Sequence, residues 1–219
     1  MNCDLCRDIF ISVYHVHINC FLRYLDEDLE GSLQALNPIG MSLLMCCCAR
    51  SRTHDFARIL IERGAEINFQ NENPHPLFYV VNSGQLDMAN FLIERGSQVN
   101  IFNERYFCPL SLSVWNLNFE ITQLFLKNGA DPNVTDSDGN SILFLLCSNF
   151  GRARYDHQKR IFIEIVELLL QFGANPFSQN NKGVSAYSIV ENTQYGDLSE
   201  EIRNIFENVI EMKEPDFDM

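Results

Sequence analysis

The segments LIERGAEIN (60–68), LIERGSQVN (92–100), LFLKNGADPN (124–133) and LLLQFGANPF (168–177) repeat one design: an apolar helical run, a glycine, then a short polar stretch. In the first three, an asparagine follows the glycine by four residues. The glycines Gly64, Gly96, Gly129 and Gly173 are spaced 32, 33 and 44 apart, and a weaker copy, YLDEDLEG (24–31), puts Gly31 another 33 upstream. A glycine at the end of a helical run suits the left-handed position that only glycine fills without strain.

Working outward, a second anchor follows each glycine and opens another apolar run: MSLLMCCC (41–48), HPLFYVV (75–81), CPLSLSV (108–114), NSILFLLC (140–147) and VSAYSIV (184–190). Pro76 and Pro109 fall where a helix begins, and there the missing N–H of proline leaves nothing unpaired. Each unit reads as turn, short helix, loop, longer helix, glycine stop. A fixed period near 33 means that each unit buries its apolar face only by stacking on the next.

On these motifs the chain resembles the ankyrin repeat, over roughly residues 20–212. The openings HPLF, CPLS and SILF depart from the TPLH-like pattern of that family. The resemblance implies an all-α, ankyrin-repeat α-solenoid of about five to six helix-turn-helix units with β-turn or hairpin fingers. The expected organisation is an N-terminal capping helix pair over 1–37 and central repeats over 38–180 (38–70, 71–103, 104–136 and 137–180). A C-terminal capping repeat over 181–212 and an acidic, disordered tail over 213–219 complete it. The last cap is read from SEEIRNIFENVIEM (199–212), with Ser199 as N-cap and Glu200 and Glu201 in the first turn.

The repeat over 137–180 holds about eleven extra residues, GRARYDHQKRI (151–161). They form either a solvated loop or an extension of the second helix, and Arg152, Arg154, Lys159 and Arg160 make them a possible second contact loop.

With 219 residues, 46% of them hydrophobic, the chain buries a core. Its net charge of −13 argues against nucleic acid or an anionic membrane as partner. No apolar run approaches the roughly 20 residues that span a bilayer, and the start MNCDLCRD lacks the basic region of a secretory signal. Eight cysteines, three of them consecutive at Cys46–Cys48, fit free thiols in a reducing compartment better than a disulfide framework. The expectation is a soluble, monomeric, cytoplasmic protein.

Chemistry is sparse. Cys3 and Cys6 form a CxxC without the second ligand pair that a closed zinc site needs, so no metal and no cofactor is expected. Cys47 and Cys48 align with Val80 and Val81 of the next repeat, a close-packed position that the family fills with small residues. Cys108 and His75 hold one slot in adjacent repeats, about 10 Å apart by helix packing, too far for a nucleophile–base hydrogen bond. No catalytic constellation emerges, and an enzyme is not expected.

What remains is surface. The resemblance implies a partner protein bound in a concave groove lined by turn tips and by the exposed side of each first helix. On the turns these are Phe69, Asn71, Glu72, Phe102, Glu104, Arg105, Asp136 and Asp138; on the helices they are Tyr79, Asn82, Leu112, Trp115 and Asn116. Trp115, the only tryptophan, is the expected anchor. An alternative is a substrate-recruiting adaptor of a larger enzyme complex such as a ubiquitin ligase. The degenerate openings also resemble ankyrin proteins of intracellular bacteria or large viruses, which implies a host-directed effector delivered into host cytoplasm. Family precedent further implies asparagine hydroxylation at Asn68, after Leu60 and Glu66, and at Asn133, after Phe125 and Asp131.

Overall fold

In the computed structural model, the described residues are 8–69, 74–103, 108–150, 153, 155–192 and 196–211, the last three by backbone alone. Asn71, Glu72, Glu104, Arg105, Arg152 and Arg154, as well as Cys3, Cys6 and the tail, lie outside them. The chain divides into two units, Met1–Ile101 and Phe102–Met219.

The first unit holds α1 (Ile9–Tyr14), α2 (Ile18–Glu27), α3 (Leu29–Gln34), α4 (Leu43–Cys48), α5 (His54–Glu62), α6 (Pro76–Asn82) and α7 (Leu86–Glu94). The short helix α4 packs against α1, α5 and α6, while α1 pairs with α2 and α6 with α7. Among the longer helices, Phe21 of α2 meets Phe56 of α5 at 4.7 Å, and the Arg58 guanidinium lies 4.5 Å over the Phe91 ring of α7. Cys47 and Cys48 are fully buried where α4 meets its neighbours, as small apolar side chains in a tight helix contact should be.

The second unit holds α8 (Pro109–Trp115), α9 (Phe119–Lys127), α10 (Ile142–Cys147), α11 (Asp156–Gln171), α12 (Ala186–Asn192) and α13 (Asp197–Glu211). Here the short helices α8, α10 and α12 pack in series, as do the longer α9, α11 and α13. Pro76 and Pro109 each occupy the first turn of their helix. Gly64, Gly96, Gly129 and Gly173 all have φ between 82° and 95°.

Two local expectations need correction. Gly31 is no helix stop: α2 ends at Glu27, the Asp28 side chain caps a new helix, and Gly31 lies inside α3 with its N–H donating to Asp28 at 2.9 Å. An N-cap aspartate one turn ahead outweighs the glycine. Ser199 does not cap α13, which begins two residues earlier; its hydroxyl donates to the Gly196 carbonyl at 2.9 Å. For the insertion, of the two readings given above, extension of the second helix holds at residues 156–161, which bring α11 to 16 residues, and Phe150 folds inward to stack on Phe162 at 5.4 Å. A buried aromatic pair is enough to turn part of an inserted segment into helix.

Candidate protein-binding surface

The turns between repeats are built by side chains that accept from their own backbone. Asp136 accepts the N–H groups of Asp138 and Asn140, each at 2.9 Å, and its other oxygen takes the Asn140 carboxamide. Asn37 does the same for Ile39 and Met41, and Asn180 for Lys182 and Val184. Isolated bridges close two of these turns, Leu36 with Ser42 and Thr135 with Ser141. Asp136, half-buried, thus shapes its own finger. Asp138 beside it is exposed; besides its N–H, its carbonyl is engaged, by Asn181 N–H at 3.0 Å.

A second set of side chains joins one repeat to the next. Asn68 donates to the Gly96 carbonyl at 3.0 Å and accepts the Gln98 N–H at 2.9 Å. Asn133 does the same with Gly173 and Asn175, both at 2.9 Å. Both asparagines singled out for hydroxylation are therefore joint residues. His75 buttresses the first joint: its Nδ1 accepts the Leu77 N–H, which assigns the remaining Nε2–H to Asn68 at 3.2 Å. Burial pushes the His75 pKa down to about 4.

The thiols are placed for packing. Burial pushes Cys46 up to about 11 and raises Cys47, Cys48, Cys108 and Cys147 as well, so all five stay protonated near neutrality.

The remaining surface residues fall into groups. On the first unit, Asn82 is exposed, and Phe69 and Tyr79 are half-buried; burial raises the Tyr79 phenol. On the second, Phe102 is 49% exposed ahead of α8, Leu112 is half-buried, and Trp115 and Asn116 are exposed at the end of α8. Trp115, 39% exposed, shares a shallow depression with Leu117, Leu145 and Asn149. Lys159 and Arg160 are exposed near the start of α11, where Lys159 pairs with Asp156 at 3.5 Å.

Leu117 is the residue that sequence reading missed. Its φ is +53°, a left-handed conformation that strains a branched side chain by roughly 1–2 kcal/mol. The matching position after α6 is Gly84, at φ +66°. Aligning the two helix openings would have shown a leucine in a glycine slot.

Comparison with known proteins agrees with this architecture. The family described as "Ankyrin repeats (3 copies)" matches residues 9–103, and "Ankyrin repeat" matches 138–181. The ankyrin repeat protein L86 of Acanthamoeba polyphaga mimivirus is 28% identical over 204 residues, covering 76% of this chain and 29% of its own length. L92 of the same virus is 31% identical over 91 residues, covering 42% and 18%. The chain thus spans less than a third of either relative. Among solved structures, the ankyrin repeat domain of Bcl-3 superposes with a TM-score of 0.70 at 19% identity, covering 89% of this chain and 81% of that domain. Ankyrin repeats are in general protein-interaction modules, and no helix among the described residues is long and apolar enough to cross a membrane. With family matches over more than half of its length and the same helical solenoid fold, the chain belongs to the ankyrin-repeat family.

Proposed function

We propose that the chain is a non-catalytic, monomeric module that binds a partner protein, with Trp115 as the anchor of the contact. One observation carries this reading: Leu117 holds a strained backbone beside a half-exposed tryptophan, where the preceding repeat relaxes the same position with glycine. Local strain is kept where the resulting shape is used, and tryptophan is the residue most enriched in binding hot spots. Phe102, Leu112, Asn116 and Asp138 supply flanking contacts on the same unit; on the first unit, Phe69, Tyr79 and Asn82 are contact residues in their own right. The basic start of α11, with Lys159 and Arg160, is a secondary contact in a chain of net charge −13.

The two viral relatives point to a host-directed role inside the cytoplasm of an infected amoeba. Unpaired, buried thiols suit a reducing compartment of that kind.

The test is capture of partners from an Acanthamoeba lysate by wild type and by Trp115→Ala side by side. Truncation should weaken a captured partner by about 2–4 kcal/mol, read as loss from the bound fraction, while folding stability falls by only about 1 kcal/mol. Equal capture by both chains would remove Trp115 from the contact; a loss of several kcal/mol in folding would assign the indole to the core.

A further inference from the structure

The joint that carries no asparagine is the most informative place on the first unit. Ala35 and Gln34 stand seven and eight residues before Ser42, where Asn68 stands seven before His75 and Asn133 eight before Ser141. At those two joints a carboxamide grips the carbonyl of the next glycine and the N–H two residues beyond it. The corresponding pair for the first joint is the Gly64 carbonyl and the Glu66 N–H. Among the described residues, the Gly64 carbonyl accepts and the Glu66 N–H donates no hydrogen bond, and Gln34, the last residue of α3, stands beside them. Over the pair lies a cavity of about 320 Å³ walled by Leu33, Leu36, Leu43 and Leu60, with Glu30 and Glu66 among its lining residues. Leu36 is 47% exposed at its edge.

We propose that this cavity is a recognition site for a side-chain carboxamide: an asparagine or glutamine of an extended peptide segment on a partner protein. The carboxamide NH₂ donates to the Gly64 carbonyl and its oxygen accepts from Glu66 N–H, the geometry that Asn68 and Asn133 adopt inside this same chain. The leucines hold apolar neighbours of that residue. The carboxylates of Glu30 and Glu66, both exposed, select lysine or arginine beside it. This site belongs to the first unit and does not depend on Trp115.

The full-length, ¹⁵N-labelled chain is titrated with the peptide acetyl-Lys-Leu-Asn-Leu-Lys-N-methylamide and with versions carrying aspartate or leucine in place of asparagine. The methylamide end avoids adding a second primary amide. The asparagine peptide should move the Glu66 backbone amide resonance saturably, with a dissociation constant at least about ten-fold lower than either control. Leu36→Lys, a change at an exposed position, should weaken it by a similar factor while leaving the helical circular dichroism intact. Equal affinity for the asparagine and leucine peptides would overturn the proposal, as would absence of any shift at Glu66 up to millimolar peptide. Retention of binding and of the Trp115 contact are read separately, since partner capture by the Trp115 surface requires no change at Glu66.

Discussion

Gly31 and Gly96 occupy one period in the sequence and opposite roles in the structure. Gly96 ends α7 at φ +91°, and its carbonyl is held by Asn68. Gly31 sits within α3, where an added Cβ would lie 2.1 Å from the Asp28 carboxylate that caps the helix. Spacing alone does not make a repeat boundary. The boundary is made by a glycine free to turn together with an asparagine that fastens the turn, and the first joint has neither.

Acid should separate the two joints most. His75 binds its proton at pH 6.5 when unfolded but only at about 4 when folded, so the unfolded state holds more protons between those values. Stability contributed by the neutral ring is complete above pH 6.5 and falls away as pH drops towards 4, a loss of about 3 kcal/mol. Denaturant midpoints at pH 7, 5.5 and 4.5 should show that decline, and His75→Gln should flatten it. An unchanged decline in the variant would locate the titration elsewhere.

The asparagines come next. Asn68→Ala or Asn133→Ala removes two interrepeat hydrogen bonds and should lower stability by about 2 kcal/mol. Gln34→Ala, at the joint without that clamp, should lower it by less than about 0.5 kcal/mol. Similar losses at positions 34 and 68, measured by urea unfolding, would mean that the first joint is fastened after all.

The glycines give the smallest expected effects. Gly96→Val forces a branched residue to positive φ and should cost about 1–2 kcal/mol. Gly31→Ala displaces the Asp28 cap, a loss of about 1 kcal/mol, and gains about as much in helix propensity. Its melting temperature should stay close to that of the wild type.

Much of this arrangement was legible beforehand. The apolar runs, the glycines at 64, 96, 129 and 173, the helix-opening prolines and the packing role of Cys47 and Cys48 follow from local rules that the stack reinforces. What escaped reading depended on competition between local signals. Asp28 wins over Gly31 because its carboxylate satisfies a free N–H of the first helical turn, whereas a glycine only permits a turn. Asp136 reads as surface charge, and its oxygens also shape its own finger. For residues 156–161, the sequence left loop and helix extension open, and the stack of Phe150 on Phe162 accompanies the helix that forms. At the candidate surface, the exposure of Trp115 and Asn116 follows from helical phase, whereas the strained Leu117 beside them becomes visible only when two repeats are compared position by position.

The asparagine joints also bear on how the molecule yields under load. Each carboxamide spans a boundary between neighbouring repeats and bears tension there, whereas the boundary without one relies on the packing of Phe21 on Phe56 and on the exposed Arg63–Asp26 ion pair. Stretched from its amino-terminal side, the chain gives way first between α3 and the loop at Gly64, releasing the roughly 28 residues from Asp8 to Ala35 as a slack of about 100 Å. The rest of the first unit, fastened at Asn68, holds on to a higher force.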